Sequence, residues 1–271
     1  MHTIFLADIN LLWIYDLSNW LFCAVVVGVF VAFSLTGQIV VRRFHSRWFG
    51  DKEYNFSVAD YLSAAGVFFG ITLGLISVAT WENFTAVDGI VSHEASAVGV
   101  LFRTVDNYPE PHRTVLTGQL RDYTRYTIDK SWPLYRQGDN SGTVGDMMLT
   151  RFYKYLAKVE PGDEAQKVLY GEALREFSNV LEGRRQRLDS VTTALPEIVW
   201  IVVIGGSVLS ISLMWLFVIE NRRLHDALTV TLACLLGLLV FLLASMDHPF
   251  RGEYSVGPDS FELVYDQLMK D

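Results

Sequence analysis

Long unbroken runs of apolar residues, each about the thickness of a lipid bilayer, dominate the pattern along this chain. Four such runs contain no Asp, Glu, Lys, Arg or His: Trp20–Val41, Tyr61–Trp81, Ile198–Ile219 and Ala227–Met246. An α-helix rises about 1.5 Å per residue, so roughly 20 residues cross a ~30 Å hydrocarbon core. We therefore predict an all-α membrane protein with four transmembrane helices, arranged as hairpins over residues 20–81 and 196–246.

Residues 82–195 separate the two hairpins and keep apolar side chains at helical spacing. No proline follows Trp81 until Pro109, which predicts that the second span continues as a long helix beyond the membrane. Three further amphipathic helices are predicted, over 113–130, 146–159 and 163–195. Their apolar stripes, such as Ala173, Phe177 and Leu181 in the last helix, favour an extramembrane four-helix bundle.

The two ends of the chain flank these elements. Residues 1–19 carry apolar and aromatic side chains without Lys or Arg, which predicts a segment lying in the membrane interface. Residues 247–271 form an extramembrane tail that begins with a turn-rich stretch. Phe261 and Leu268 near its end predict a terminal helix that docks on the bundle.

Basic residues concentrate in the short connections between spans. Arg42, Arg43 and Arg47 follow the first span, and Arg222 and Arg223 lie between the third and fourth. Short loops rich in Lys and Arg remain cytoplasmic in most membrane proteins. We therefore predict an integral protein of a bacterial inner (plasma) membrane, with both termini and the helical domain extracytoplasmic.

Composition and motifs argue against several classes of function. The net charge of −8 disfavours a nucleic-acid partner, because phosphate binding needs a basic surface. His93-Glu94 begins like a zinc-protease motif, but Ala97 stands where the second histidine is required. No nucleophile elbow, phosphate loop or dinucleotide fingerprint occurs, so we predict a protein that is not an enzyme and needs no metal or cofactor. Spans without ionisable residues or proline also disfavour coupled transport.

The second span carries Gly66, Gly70 and Gly74 at intervals of four residues. Small residues at this spacing form a groove on one side of a helix and let another helix approach closely. Three interpretations remain open for this helix-packing groove. It could contact another span of the same chain, a span of a second subunit, or a ligand or ion at bare backbone.

Polar residues on the same span suggest a pathway for ions. Thr72 and Ser77 place hydroxyl groups within the apolar run, and Glu82 follows it directly. Pores are lined by such groups or by apolar constrictions, and carboxylates in a symmetric ring attract cations. We predict that these three residues line a pore, although hydroxyls are common in any span and Glu82 could be solvated or ion-paired.

Five charged residues outside the spans are candidates for a pore mouth or for ion pairs: Glu94, Arg185, Arg187, Asp247 and Arg251. The two arginines precede the third span and could pair with Glu82 or Glu94, or contact lipid phosphates. A solvated helical face is the simpler alternative for them. The tail that contains the last two candidates could cap the bundle or form an external gate.

Several short motifs occur together in an order that resembles a known family. They are Trp81-Glu82-Asn83-Phe84, Glu94-Ala95, Trp132-Pro133, Arg185 and Arg187 before Pro196, Glu220-Asn221, Leu224-His225, and Asp247 followed by Pro249-Phe250-Arg251-Gly252. Together they resemble the bestrophin-like membrane protein family of bacteria and plants, over about Trp20 to Phe261. The resemblance implies a relationship to bestrophins, which are homo-oligomeric anion channels with a pore lined by the second span. It also implies a cytosolic helical part, opposite to the orientation that the loop charges predict.

These observations predict a homo-oligomeric, ion-permeable channel lined by the second span and its helical extension. The expected partners are the lipid bilayer, further copies of the same chain and inorganic ions. The alternative is a non-conducting membrane scaffold or sensor that binds a partner protein through its extramembrane bundle.

Overall fold

The computed structural model describes residues 11–49 and 55–270, most of which are helical, with no strand among them. The predicted all-α class is therefore confirmed. The α-helices are α1 (Asn19–Phe49), α2 (Asn55–Asp106), α3 (His112–Tyr126), α4 (Trp132–Arg136), α5 (Thr143–Leu156), α6 (Glu164–Ser190), α7 (Glu197–Met214), α8 (Arg222–Asp247) and α9 (Asp259–Val264). A 3₁₀ turn, Leu11–Asp16, precedes α1, and π-helical turns follow α3 and α9. The rest of the predicted interfacial segment lies outside the described residues.

The chain divides into two compact units. The first, called the membrane unit, contains the described residues up to Glu82 together with Ala194–Asp247 and Gly252–Tyr254. The second, called the helical unit, contains Asn83–Thr193, His248–Arg251 and the described residues from Ser255 onward. Helix α2 contributes residues to both units because it runs without a break from Asn55 to Asp106.

Four helices of the described chain, α1, α2, α7 and α8, are long and apolar enough to cross a membrane. In the membrane unit, α1 packs along α8, where a side chain added at Gly237 would lie 3.0 Å from the Cα atom of Val27. Helix α7 ends at Met214, before the predicted end of the third span at Ile219. Beyond that end, the Trp215 indole donates to the Ser34 carbonyl (2.9 Å), and the Val218 backbone exchanges hydrogen bonds with the Asn55 amide.

The helical unit forms around one apolar core. As predicted, the helix continues past Trp81: α2 supplies the buried residues Val91, Val98, Leu101 and Val105 before it ends ahead of Pro109. Helices α3, α5 and α6 cover this face with Leu120, Phe152 and Phe177, among other buried residues. The predicted terminal helix is present as α9, and its Phe261 is fully buried in the same core.

Candidate functional site

The three residues predicted to line a pore occupy two different sides of α2. The Thr72 and Glu82 side chains are exposed, whereas Ser77 is half-buried. An α-helix turns by about 100° per residue, so Ser77 lies about 140° around the helix from each of the other two. Both hydroxyls are hydrogen-bonded within the helix, Thr72 to the Phe68 carbonyl (2.9 Å) and Ser77 to the Leu73 carbonyl (2.8 Å). A single face of α2 therefore presents Thr72 and Glu82 but not Ser77.

The glycines of α2 face open space. A Cβ atom added at Gly66, Gly70 or Gly74 would meet no heavy atom within 4 Å in the described part of the chain. Gly206 on α7 behaves differently, because an added Cβ would lie 2.2 Å from the Phe69 ring. Gly206 thus lies at a close contact between α7 and α2, whereas the glycine groove on α2 has no tight intrachain partner among the described residues.

An apolar groove of about 460 Å³ borders these glycines. It is lined by Gly66, Gly70 and Leu73 of α2 and by leucines of α8 such as Leu232 and Leu235. Its walls expose little polar surface, which suits the side chains of another membrane helix or a lipid chain. Such a groove provides packing surface rather than a site for polar chemistry.

Glu94 and Arg187 form an ion pair at the centre of the helical unit. Both side chains are fully buried, and the guanidinium donates to the carboxylate from Nε (2.6 Å) and from Nη2 (2.9 Å). This bidentate arrangement is the strongest geometry for an arginine and a carboxylate. Gly183 permits it, since a Cβ atom at that position would lie 2.9 Å from the Glu94 Cβ. The pair therefore joins α6 to α2 at a point where the two helices approach closely.

Aromatic residues complete the shell around this pair. Tyr123 donates its hydroxyl to Glu94 (2.8 Å), and Arg187 donates through Nη1 to the Tyr135 hydroxyl. The guanidinium carbon lies 5.4 Å from the Trp132 ring and 5.5 Å from the Phe261 ring, within the range of cation–π attraction. The two buried charges are thus paired with each other and hydrogen-bonded to tyrosine hydroxyls of the described residues.

This environment changes the acid–base behaviour of its members. Burial, followed by the nearby Glu94 carboxylate, raises the pKa of Tyr123 above its ordinary value. Burial alone would lower the pKa of Arg187, but the Glu94 carboxylate and its hydrogen bonds raise it instead. The tyrosine remains neutral and the arginine remains charged at physiological pH, so the cluster is a fixed structural element.

The neighbouring arginines on α6 have separate roles. Arg185 is exposed and lies 3.8 Å from Asp189, also exposed. Arg184 is buried and contacts Asp146 (3.2 Å) as well as the Gly142 carbonyl. The predicted ion pair therefore involves Arg187 with Glu94, whereas Arg185 belongs to the solvated face of the helix.

Asp247 and Arg251, the candidates from the tail, contact backbone and indole groups. Asp247 accepts hydrogen bonds from the Leu195 amide (2.5 Å) and the Trp200 indole (3.3 Å), which anchors the chain just before α7. Arg251 donates to the Gln137 carbonyl (2.9 Å) in the helical unit. Both residues therefore hold the tail in place. This agrees with the interpretation that the tail caps the bundle rather than forming an external gate.

Sequence reasoning missed a polar cluster at one end of the membrane unit. Gln38 and Arg42 of α1 lie beside His225 of α8, whose Nδ1 is 3.0 Å from the Arg42 Nη2 atom. The signal in the sequence was a glutamine one helical turn before an arginine at the end of a span. These two residues indicate a polar cluster only once the fold is known, because His225 of α8 then lies beside them.

Comparison with known proteins identifies the family. The chain matches the Bestrophin-like domain over residues 28–261, while no curated protein matches it. A crystal structure of a bacterial bestrophin homologue from Klebsiella pneumoniae, carrying one substitution, is 13% identical with a TM-score of 0.70, covering 91% of this chain and 97% of that one. A second structure of the Klebsiella homologue is 14% identical with a TM-score of 0.69, covering 90% and 96%. With its four apolar helices and this match over most of its length, the chain belongs to the Bestrophin-like family of integral membrane proteins.

Proposed function

We propose that the protein is a homo-oligomeric ion channel whose pathway is lined by the membrane part of α2. The observation that carries this proposal is the exposure of that helix. Only 6% of its most apolar stretch is buried inside the chain, against 11% for α1, 28% for α7 and 33% for α8. A span with so few partners of its own has surface for both neighbouring subunits and a central pathway. Membership of the bestrophin-like family supports the same function.

The face of α2 that would meet the pathway is defined by exposed side chains. Phe68, Thr72, Leu75 and Glu82 are exposed and fall within about 80° of arc around the helix. Around a symmetry axis, the apolar members would form a constriction and Glu82 a ring of carboxylates at one mouth. The glycine groove lies on the other side of the helix, where it would receive a neighbouring subunit.

Recording from purified protein in planar bilayers tests the proposal directly. We expect ion currents from the reconstituted oligomer and ion flux from liposomes that contain it. Channel function would be contradicted if the purified oligomer gave no current in bilayers over a range of voltage, pH and calcium concentration. Sealed liposomes that contain the same oligomer would then also show no ion flux.

Replacing Glu82 by Gln should reduce the preference of the channel for cations. A unit negative charge about 4 Å from a permeating ion favours a cation by about 1 kcal/mol in water and disfavours an anion by as much, so we expect the cation-to-anion permeability ratio to fall roughly 30-fold. Reversal potentials in a salt gradient measure this ratio. Asp88→Asn is the matched control, because Asp88 is an exposed carboxylate on α2 that lies about 120° around the helix from Glu82. Equal shifts in both variants would remove Glu82 from the pathway.

We further propose that the basic short loops face the cytoplasm and that the helical unit and both termini are extracytoplasmic. Cysteines are introduced at Asn140 of the helical unit and Glu220 between α7 and α8, both exposed, after Cys23 and Cys234 are replaced by alanine. A membrane-impermeant maleimide added to spheroplasts should label Asn140→Cys and spare Glu220→Cys. The reverse pattern would contradict this orientation, and disruption of the membrane serves as the control for reactivity.

A scaffold or sensor remains the second candidate, favoured by one feature of the helical unit. A surface groove of about 710 Å³ between α3 and α5 is lined by Gln119 and Met147 and by the cations Arg151, Lys154 and Lys158. An acidic segment of a partner protein would fit this surface. The mass of the purified complex discriminates the two candidates, since three or more subunits support a channel and a monomer or dimer supports the scaffold.

A further inference from the structure

A polar pocket of about 320 Å³ lies at one end of the membrane unit. The last turns of α1 supply Gln38 and Arg42, the start of α8 supplies Arg222 and His225, and the segment between α7 and α8 supplies Trp215 and Glu220. The pocket therefore combines an amide, two guanidinium groups and an imidazole with an indole wall. None of these residues is used by the proposed conduction pathway on α2.

Gln38 indicates that the pocket is built for a ligand. The residue is 2% exposed, yet neither its amide nitrogen nor its amide oxygen has a hydrogen-bond partner in the described part of the chain. A buried polar group without a partner is costly and rare, because it loses its hydrogen bonds to water and gains none in return. A bound molecule that supplies a polar group to this amide would remove that cost.

The charges around Gln38 determine the chemistry of the ligand. Arg42 Nη2 lies 3.0 Å from His225 Nδ1, and the other imidazole nitrogen, Nε2, lies 3.0 Å from the Met214 carbonyl. Two arginines against the single carboxylate of Glu220 leave the lining net positive. Asp226 lies 3.9 Å from Arg42 outside this lining and is half-buried, so it weakens the guanidinium charge only in part. Guanidinium groups and an amide N–H are the donors that bind phosphate oxygens.

An adjacent apolar groove suggests the source of that phosphate. This groove of about 420 Å³ runs along α1 beside Phe33, Gly37 and Val40, and it shares Trp215 with the polar pocket. Its surface is almost wholly apolar, which suits an acyl chain. A molecule with a phosphate at one end and a hydrocarbon chain at the other would fill both cavities at once.

We propose that this end of the membrane unit is a binding site for a membrane phospholipid. Its phosphate accepts hydrogen bonds from Arg42, Arg222 and the Gln38 amide, while an acyl chain lies against Trp215 and α1. The site goes beyond the proposed function, since it requires neither conduction nor a particular orientation of the chain.

Native mass spectrometry of delipidated protein in detergent tests the site with three probes. Phosphatidylglycerol carries the phosphate and the chains, diacylglycerol lacks the phosphate, and inorganic phosphate lacks the chains. Wild-type protein should bind phosphatidylglycerol in preference to both other probes. Arg42→Gln should weaken that binding at least about tenfold, the effect of losing one charged hydrogen-bonding partner. Arg43→Gln removes the same charge from an exposed neighbour outside the pocket and should leave binding unchanged.

Each other outcome overturns the proposal. Equal weakening in the Arg42 and Arg43 variants would indicate a non-specific effect of charge. If diacylglycerol bound as tightly as phosphatidylglycerol, the phosphate would have no part in recognition. Inorganic phosphate binding as tightly as phosphatidylglycerol would assign the pocket to free phosphate.

A second variant separates ligand binding from folding. Gln38→Met keeps the side-chain volume and removes the unpartnered amide, so the thermal midpoint of delipidated protein should stay equal to that of wild type or rise. The increase in midpoint that phosphatidylglycerol produces should shrink, because a ligand stabilises only the state that binds it. A lower midpoint without lipid, combined with an undiminished increase on adding lipid, would exclude Gln38 as a ligand-binding residue.

Discussion

Replacing Glu94 by Gln is expected to lower the free energy of unfolding by about 3–5 kcal/mol, because it leaves the Arg187 charge buried without a counter-ion. Both side chains are fully buried, so water cannot compensate for the lost carboxylate. Glutamine has nearly the same shape, which restricts the effect to charge and hydrogen bonding. Equilibrium unfolding of the full-length protein in detergent, followed by circular dichroism, measures this difference.

The exposed pair on the same helix provides the control. Arg185 and Asp189 have side chains that are each 74% exposed, and solvent-exposed ion pairs contribute about 0–1 kcal/mol. Arg185→Gln should therefore change stability little. The double variant Glu94→Met with Arg187→Met should recover much of the loss, since apolar residues can replace a buried ion pair at little cost. A loss from Glu94→Gln no larger than that from Arg185→Gln would contradict a structural role for the buried pair.

The contrast between Arg185 and Arg187 shows what the sequence could and could not predict about the ion pair. Charge and position indicated that arginines of this helix could pair with Glu94, but both residues were equally good candidates. Arg185 and Arg187 lie about 200° apart around α6. The side of α6 that faces α2 is the side that carries Gly183, where the two helices approach closely. The same orientation places Leu181, predicted in the apolar stripe, at 42% exposure and brings Val180 into the core.

Long-range features were harder to predict than the helices themselves. Apolar runs and the position of Pro109 specify local structure, which a sequence reveals directly. The meaning of Gln38 depends on His225, a residue far along the chain that only tertiary packing brings near. The glycines of α2 likewise look equivalent to Gly206 in sequence, although only Gly206 lies against an aromatic ring of another helix. Spacing identifies a groove but does not reveal whether the groove is filled within one chain.

Gly70→Leu should abolish assembly of the oligomer while leaving the individual subunit folded. In the described part of the chain, no heavy atom lies within 4 Å of a Cβ added at Gly70, so the larger side chain has room in the isolated subunit. In the proposed assembly the same side chain would enter the surface where a neighbouring helix packs. Overpacking of a close contact costs about 1–3 kcal/mol, or roughly 5- to 150-fold in affinity, and this penalty recurs at every interface of a ring.

Size-exclusion chromatography with light scattering in detergent measures the outcome. Gly28→Leu is the matched control, because Gly28 is an equally open glycine of α1 that takes no part in the groove. We expect Gly28→Leu to elute as the wild-type oligomer and Gly70→Leu as a monomer with unchanged helical content. A Gly70 variant that assembles normally would place the subunit contact elsewhere and leave the groove to lipid. Because a channel of this kind exists only as an assembled ring, the same variant should also lose ion flux in liposomes, which links the packing of α2 to conduction.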